Sequence, residues 1–375
     1  MISLMRNILW QLYFLLSSWL GFSQSIESET IADLPSGLNE CSGMVFIDDH
    51  RIAMVNDGGN KAEVFIVDTN GQLLEKIPLP ALENVDWESM AISDTEIFIG
   101  DFGNNGNGRR DLAIYALDKE SWELNRKIEF YYPDQADFPA LAPDRYYDLE
   151  AMLFRNDSLL LIIKNRTEPF DGKLRVYSLN PKLDEQAASL LQEFKHGKGM
   201  MHFNWVCGAS RGLKSNDLFL IGYQNLWYWP NFNANSAPES LRFDLGYWSQ
   251  KEALAYQQGY IYFTEESHFT RAGKLHRASV GFLEKFQSGK PIMATLDNKH
   301  FKDSLGLKLS NAPAFEGAQI QVYNRDGSIS LLDTIRNAEL NSNKVHLELG
   351  GISKGSHLLS ISRGAEKQVF LIYKD

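Results

Sequence analysis

Four glutamates recur along the chain in similar short motifs, at unequal intervals of roughly 50 residues. They are Glu40, Glu88, Glu150 and Glu252, and a degraded copy between the last two has Val206 at the equivalent position. If the fold brings the copies together, their carboxylates repel one another and are costly to remove from water. A bound cation, a basic side chain or a network of hydrogen bonds would then have to offset that cost.

Polar residues follow each motif about one strand further along, and they add amide and carboxylate oxygens to the same region. Ca²⁺ takes six to eight oxygen ligands and accepts carboxylates together with amide oxygens. One interpretation of the pattern is therefore a divalent-cation site, with Ca²⁺ as the first candidate. Its ligands would come from Glu40, Glu88, Glu150, Glu252, Asn56, Asp57, Asp101, Asn105 and Asn165.

Other interpretations of the glutamates remain open at this point. Lys164, Arg166 or Lys251 could neutralise the carboxylates directly. The glutamates could also hydrogen-bond backbone groups of a neighbouring repeat and lock the repeats together, without any ligand. Acid–base catalysis is a further alternative, although the sequence identifies no catalytic residue.

Two other segments contain residues that could bind ligands. Residues 101–109 are rich in glycine and asparagine, which permit left-handed backbone and close approach to a ligand. With Arg109 or Arg110 adding charge, they predict either an anion site built from backbone amides or a tight connection between two strands. Trp227 and Trp229 could stack on sugar rings or pack between repeats. The sequence has no zinc-protease motif, serine-hydrolase elbow, Walker loop or dinucleotide fingerprint.

A common series of turns and β-rich segments follows each acidic motif and predicts what positions these residues. Each copy continues with a polar turn, a β-rich run, a polar tip and a third strand. Such meanders are too small to bury their own faces, so they are expected to pack radially. We predict an all-β fold with a five-bladed β-propeller over residues 28–290, six blades being the alternative. The fifth copy lacks a fourth strand, which residues 30–35 could supply.

The motifs around the glutamates resemble those of the phytase-like and SdiA-regulated β-propellers. The resemblance spans roughly residues 30–290 and implies a propeller fold. Members with esterase or phosphatase action would imply a cation that polarises a phosphoryl or carbonyl oxygen. The sequence lacks the dense Asp and Lys clusters expected of an efficient phosphate hydrolase. The matching residues are Glu40, Ser42, Gly43, Asn56, Asp57, Asp86, Glu88, Asp148, Glu150 and Glu252.

Residues 305–375 carry no copy of the acidic motif and are predicted to form a small β-sandwich domain. A strand runs into an Asp326-Gly327 turn, and the chain ends in an apolar strand followed by Lys374. The region resembles the C-terminal sorting domain of the type IX secretion system of Bacteroidota. His357 stands where that family usually has Tyr, and Asn311-Ala312-Pro313 only partly matches its Asn-Pro opening. The resemblance implies recognition by the type IX machinery, the alternative being a sandwich used for binding.

The first 23 residues have the pattern of a cleaved signal peptide, with Arg6 ahead of an apolar run that is short for a membrane span. We therefore expect an exported protein, secreted or at the cell surface, and a monomer. The net charge of −11 argues against nucleic-acid binding. Cys41 and Cys207 are expected to be buried free thiols, although export would permit a disulfide.

These features together predict an exported β-propeller that binds a ligand in the funnel at one end of its ring, with or without a divalent cation. The ligand could be a small molecule, a glycan or a protein. The alternative function is a Ca²⁺-assisted esterase or phosphoesterase.

Overall fold

The computed structural model describes residues 24–233, 238, 240–267, 271–281, 283, 294–298, 300–309, 317–324, 328–334, 344–363 and 366–375. The predicted signal peptide, the Asn311-Ala312-Pro313 segment and the Asp326-Gly327 turn lie outside these residues. The chain divides into two compact units. We call Ile26–Val280 the first unit and the one that includes Gly281–Asp375 the C-terminal unit.

The described residues of the first unit form five sheets, and in each of them strands that are consecutive in the chain lie side by side. The first sheet contains Cys41–Phe46, Arg51–Asn56, Glu63–Asp68 and Leu73–Pro78. The second contains Trp87–Ile92, Glu96–Asp101, Ala113–Asp118, Leu124–Tyr131 and a short parallel addition, Glu185–Ala187. The third contains Asp148–Arg155, Ser158–Lys164, Lys173–Leu179 and Ser189–Lys195. The fourth contains Gly208–Arg211, Leu218–Ile221, Asn225–Trp229 and Leu241–Asp244.

The fifth sheet is completed by the beginning of the unit. Its other strands are Lys251–Gln257, Tyr260–Glu265 and Lys274–Ser279. Ser28–Asp33 pairs antiparallel with the last of these, as the sequence predicted for residues 30–35. The first strands of successive sheets contact one another in order, and that of the fifth sheet contacts that of the first. This cycle of antiparallel sheets is the arrangement of a β-propeller.

Apolar side chains fill the space between neighbouring sheets. Leu160 and Ile162 of the third sheet share one buried cluster with Leu220, Trp227 and Trp229 of the fourth. The two tryptophans are 2% and 0% exposed. They therefore pack between sheets, and the interpretation of them as a platform for sugar rings is wrong. Middle strands are buried on both faces, which explains their continuous apolar sequences.

The C-terminal unit contains two sheets in its described residues. One contains Ala294–Leu296, Ser304–Leu309 and Lys344–Glu348. The other contains His300–Phe301, Glu366–Lys374, Gly355–Arg363, Gln319–Tyr323 and Ile329–Thr334. Buried and exposed residues alternate along Ser304–Leu309 because one face of the strand meets a core. That core is a single apolar cluster to which both sheets contribute.

Cys41 and Cys207 are buried free thiols, which confirms the prediction. Burial raises the pKa of Cys41 to about 12.

The first unit contains few helical residues, and two of its short helical turns are Ala142–Asp144 and Met201–Phe203. Among the residues described, no helix has the length and apolar character to cross a membrane.

Candidate functional site

A β-bulge lies at the start of the first strand in each of the five sheets, and in the second, third and fifth sheets it contains one of the predicted glutamates. In the second sheet Trp87 pairs with Asp101 and Ser89 pairs with Gly100, so Glu88 is the extra residue. The register shifts in the same way around Glu150 and around Glu252. A bulge re-aims its extra side chain, and bulges are common beside functional sites. Burial raises the pKa of Glu88, and the charges of Glu150, Asp57 and Glu252 add to the shift, as expected if these carboxylates lie in one region.

The equivalent position in the other two sheets is not occupied by the residues that the sequence predicted. In the first sheet the bulge falls on Ser42, whereas Glu40 precedes the strand, is exposed and accepts a hydrogen bond from Asn60 Nδ2 at 2.8 Å. In the fourth sheet Cys207 and Gly208 both face Ile221, so Cys207 and not Val206 has this position. The alignment of Glu40 and Val206 with the other glutamates is therefore wrong.

Three carboxylates meet in what we call the acidic cluster, Asp57, Asp86 and Glu88. One carboxylate oxygen from each lies within 4.8 Å of the others. Glu88 is 4% exposed, and Asp57 and Asp86 are half-buried. In the described part of the chain, no hydrogen-bond donor and no cationic side chain contacts the Glu88 carboxylate. Burial raises the pKa of Glu88 well above its usual range and that of Asp57 to about 8, and neighbouring carboxylates add to both shifts.

Two glycines allow the chain to approach these carboxylates closely. A Cβ at Gly103 would lie 2.4 Å from Asp86 Oδ2 and 2.7 Å from Glu88 Oε1, and one at Gly58 would lie 2.5 Å from Asp86 Oδ1. The segment 101–109 is thus a wall of the acidic cluster. The amides of Phe102 and Gly103 bind Asp86 O at 3.1 and 3.0 Å. These contacts support the interpretation of this segment as a tight connection.

Arg109, the residue expected to attract an anion, is neutralised within that connection. Its guanidinium contacts Asp101 Oδ1 and Asp111 Oδ1, each at 3.1 Å. Arg109 therefore supplies no free charge for an anion, and the Arg110 guanidinium stacks on the Phe138 ring, 3.7 Å from its centre.

Glu150 has a direct cationic partner. Lys164 Nζ lies 2.5 Å from Glu150 Oε1, and both side chains are nearly completely buried. Arg166 Nη2 lies 3.5 Å from the same oxygen and the guanidinium also pairs with Asp148. The Lys164 ammonium sits 4.9 Å from the centre of the Trp205 ring. Burial raises the pKa of Glu150 to about 7, although the Lys164 charge opposes the shift. Neutralisation by Lys164 and Arg166, one of the predicted alternatives, therefore applies to this glutamate.

Glu252 and Glu266 are neighbouring carboxyl groups that perturb each other's pKa. Burial raises the pKa of Glu252 to about 8 and that of Glu266 to about 7, and each carboxylate adds to or modifies the shift of the other. Lys251 does not neutralise this pair. Its Nζ donates instead to Tyr223 O at 3.0 Å, Tyr247 O at 2.9 Å and Ser249 Oγ at 2.7 Å.

The remaining predicted ligands are held by protein donors or lie at the edge of the site. Asn56 Oδ1 accepts from Glu40 N at 3.1 Å, and Asn165 Oδ1 accepts from Thr167 N and Thr167 Oγ1, both at 2.8 Å. Asp101 pairs with Arg109 and accepts from Asp86 N at 3.0 Å. Asn105 is exposed and accepts from Arg166.

Of the nine predicted ligands, Asp57 and Glu88 belong to the acidic cluster, with Glu150 and Glu252 nearby. The cluster's third member, Asp86, was not among the predicted ligands. Asp86 and Glu88 are separated by one residue, Trp87. This spacing was the signal that could have identified Asp86 as a further ligand.

Hydroxyl groups provide the locks between sheets that were one alternative for the glutamates. Each of these hydroxyl groups forms a hydrogen bond to a backbone group of a neighbouring sheet. Four of the five pairs of neighbouring sheets are joined in this way, the exception in the described residues being the third and fourth. The bonds are Ser42 Oγ to Trp87 O (2.7 Å), Met152 N to Ser89 Oγ (3.1 Å), Tyr256 N to Ser210 Oγ (3.0 Å) and Thr264 Oγ1 to Cys41 O (3.0 Å).

No protein-family model matches the chain, and no curated protein matches it in sequence. Among solved structures, it is similar to the β-propeller domain of Cps50 (Swd1) from Myceliophteria thermophila. The identity is 11%, the TM-score is 0.36, and the match covers 68% of this chain and 99% of that one. It is also similar to PorZ, an essential bacterial surface component of the type IX secretion system of Porphyromonas gingivalis. Here the identity is 10%, the TM-score is 0.35, and the match covers 92% of this chain and 46% of PorZ, just under half its length. Similarity of this degree identifies neither a family nor a function.

Proposed function

We propose that the first unit is a five-bladed β-propeller that binds a divalent cation, Ca²⁺ as the first candidate, at Asp57, Asp86 and Glu88. The main support is the environment of the Glu88 carboxylate. It is buried beside two other carboxylates, and no described residue donates a hydrogen bond to it. Such a group is costly unless a cation or proton offsets its charge. An all-oxygen set of carboxylates suits a hard cation such as Ca²⁺. The cation would in turn hold a ligand at this end of the ring, in the predicted funnel.

A second candidate function is Ca²⁺-assisted hydrolysis of an ester or phosphoester. The observation that favours it is the pair Glu252 and Glu266, whose pKa values of about 8 and about 7 suit a general acid or base near neutral pH. Burial is the main cause of the raised pKa of Asp57 and the charge of Glu252 adds to it, which supports a position of Glu252 near the acidic cluster. A bound cation would supply the Lewis acid in that reaction.

We also propose that the protein is exported, with residues 1–23 as a signal peptide and the C-terminal unit as a β-sandwich used for sorting. Support comes from the sequence resemblance and from two sheets that share one core. Fusing residues 281–375 to an exported reporter in a type IX-competent bacterium tests this role. Surface display of the fusion is expected, and retention of the reporter in the periplasm would contradict it.

Calorimetric titration of Ca²⁺ into EDTA-treated protein tests the cation site. We expect micromolar binding that Glu88→Gln and Asp86→Asn each abolish. Glu75→Gln, at an exposed position on the outermost strand of the first sheet, is the matched control and should bind normally. Because Glu88→Gln removes an uncompensated buried charge, the metal-free variant should also be more stable than the metal-free wild type. Absence of Ca²⁺ binding by the wild type, or normal binding by Glu88→Gln, would refute the site.

A further inference from the structure

Two exposed aromatic side chains lie at the same end of the ring as the buried glutamates. Tyr247 and Trp248 are neighbours in the connection between the fourth and fifth sheets, and they are 54% and 51% exposed. We call them the aromatic pair. The Trp248 ring contacts the Tyr223 ring, with 5.4 Å between their centres. Lys164 Nζ, the ammonium that neutralises Glu150, lies 3.4 Å from Tyr223 Oη.

Backbone hydrogen bonds link the segment of the aromatic pair to the acidic cluster. Glu266 N donates to Gln250 O at 3.0 Å, just after the pair in the chain. The amides of Ser267 and Asp57 donate to the carbonyls of the consecutive residues 39 and 40, at 2.9 and 2.8 Å. The aromatic pair is therefore joined to Asp57 through one strand tip of the fifth sheet and one short connection.

The apolar surface at this end is concentrated in the aromatic pair. Among the described residues, three other connections that lead into first strands each carry one exposed large apolar residue, namely Val85, Leu141 and Met200. Apolar residues exposed singly are normal on protein surfaces. A stable protein interface needs about 800 Å² on each partner, which two half-exposed rings do not supply. The pair is better matched in size to a sugar ring than to a folded partner.

The groups around the aromatic pair suit the hydroxyl groups of a sugar. Gln250 is exposed, and Tyr247 Oη donates to the Glu265 carboxylate. Tyrosine and tryptophan offer an apolar ring next to a polar group, so they are suited to ligands with both kinds of surface. A sugar has an apolar C–H face and a rim of hydroxyl groups.

The cation site would provide the second point of attachment. Ca²⁺ takes six to eight oxygen ligands. With one oxygen from each carboxylate of the acidic cluster, about three to five positions remain for oxygens of a ligand or of water. Two adjacent hydroxyl groups of a sugar can occupy two of these positions together.

We propose that the ligand held by the cation is a neutral oligosaccharide. Adjacent hydroxyl groups of one sugar bind the cation, and the apolar face of a neighbouring sugar packs on the aromatic pair. This inference rests on the proposed cation site and names the ligand of that site.

Calorimetric titration of lactose, maltose, cellobiose and mannobiose into the Ca²⁺-loaded protein tests this proposal. We expect at least one of the four disaccharides to bind, and EDTA to abolish that binding. Trp248→Ala should weaken the binding at least tenfold and change the Ca²⁺ affinity less than twofold. Trp248→Phe, which keeps an aromatic ring, should recover most of the binding. Tyr131→Ala is the matched control, because Tyr131 is 53% exposed on the outermost long strand of the second sheet.

The oligosaccharide proposal and the cation site fail in different ways. Absence of Ca²⁺ binding by the wild type would refute the cation site and this proposal with it. Ca²⁺ binding without binding of any of the four disaccharides would overturn the oligosaccharide proposal alone, and would leave the aromatic pair as a contact for a protein partner. Disaccharide binding that persists in EDTA, or that Trp248→Ala leaves unchanged, would also overturn it.

Discussion

Glu88, Glu150 and Glu252 occupy equivalent bulges and are all buried, but the groups next to their carboxylates differ. Glu150 is paired with Lys164 at 2.5 Å, and Glu252 has a raised pKa that is caused by burial and by its neighbour Glu266. Glu88 has neither kind of partner in the described chain and instead faces two aspartates. Because a buried charge without a partner is costly, the residue most in need of a bound cation is Glu88. The three glutamates therefore do not form one symmetric site, and their roles differ.

The Glu150–Lys164 pair gives a prediction about stability. Lys164→Met should destabilise the protein by up to about 3–5 kcal/mol, because it leaves the buried Glu150 carboxylate with only the longer contact to Arg166 Nη2 at 3.5 Å. Adding Glu150→Gln should recover most of that loss, since the double variant holds no uncompensated charge. Urea denaturation of the two single variants and the double variant measures the coupling.

The matched control for this pair is Lys127→Met. Lys127 contacts Glu129 at 2.7 Å, but the two side chains are 44% and 58% exposed. An exposed pair contributes about 1 kcal/mol or less, so this variant should be nearly neutral. Equal losses in Lys164→Met and Lys127→Met would contradict the view that Lys164 neutralises a buried glutamate.

At the scale of the strands, apolar runs and turn residues were enough to predict most of the first unit. The runs 51–55, 96–100 and 260–264 became the strands Arg51–Asn56, Glu96–Asp101 and Tyr260–Glu265. The bulges could not be predicted, because an extra residue in one strand is visible only against its partner. The order Glu40-Cys41-Ser42-Gly43-Met44 has two more residues before its methionine than Glu88-Ser89-Met90, and this offset misplaced Glu40.

The sequence also could not predict which side chains and backbone groups would pair with one another in the site. Lys164 and Lys251 are both buried lysines near acidic residues, but one binds a carboxylate and the other binds carbonyl oxygens and a hydroxyl. Which partner each ammonium finds depends on how neighbouring sheets stack, and that is a property of tertiary packing.

The connection 101–109 gives a prediction at this scale. Gly103→Ala should cost about 1–3 kcal/mol and weaken Ca²⁺ binding, because its Cβ would collide with Asp86 and Glu88 and displace the connection. Gly106→Ala in the same connection is the control, since a Cβ there meets no atom within 4 Å. Thermal denaturation and Ca²⁺ titration of both variants test this. Similar behaviour of the two alanine variants would show that the close approach of Gly103 does not shape the site.

At the scale of the whole ring, the first unit is closed by a strand from its own beginning. Ser28–Asp33 pairs with Lys274–Ser279, about 250 positions away in the chain. Without it the fifth sheet would end in an open edge, and open edges promote aggregation. Ile31 also packs against the cluster that contains Leu275 and Met54, so closure buries apolar surface as well.

The pairing of Ser28–Asp33 with the fifth sheet gives a prediction: if this strand is removed from the chain, a separate peptide should be able to replace it. A chain that begins at Leu34 should unfold at lower temperature and aggregate, because it loses this strand and the bond from Ile26 N to Asp244 O (2.9 Å). A peptide of residues 26–33 should bind it and raise its melting temperature, since a free sheet edge accepts an added strand. A scrambled peptide of the same composition is the control. Unchanged melting of the shortened chain would mean that the ring holds together without this strand, and rescue by both peptides would mean that the pairing is not specific.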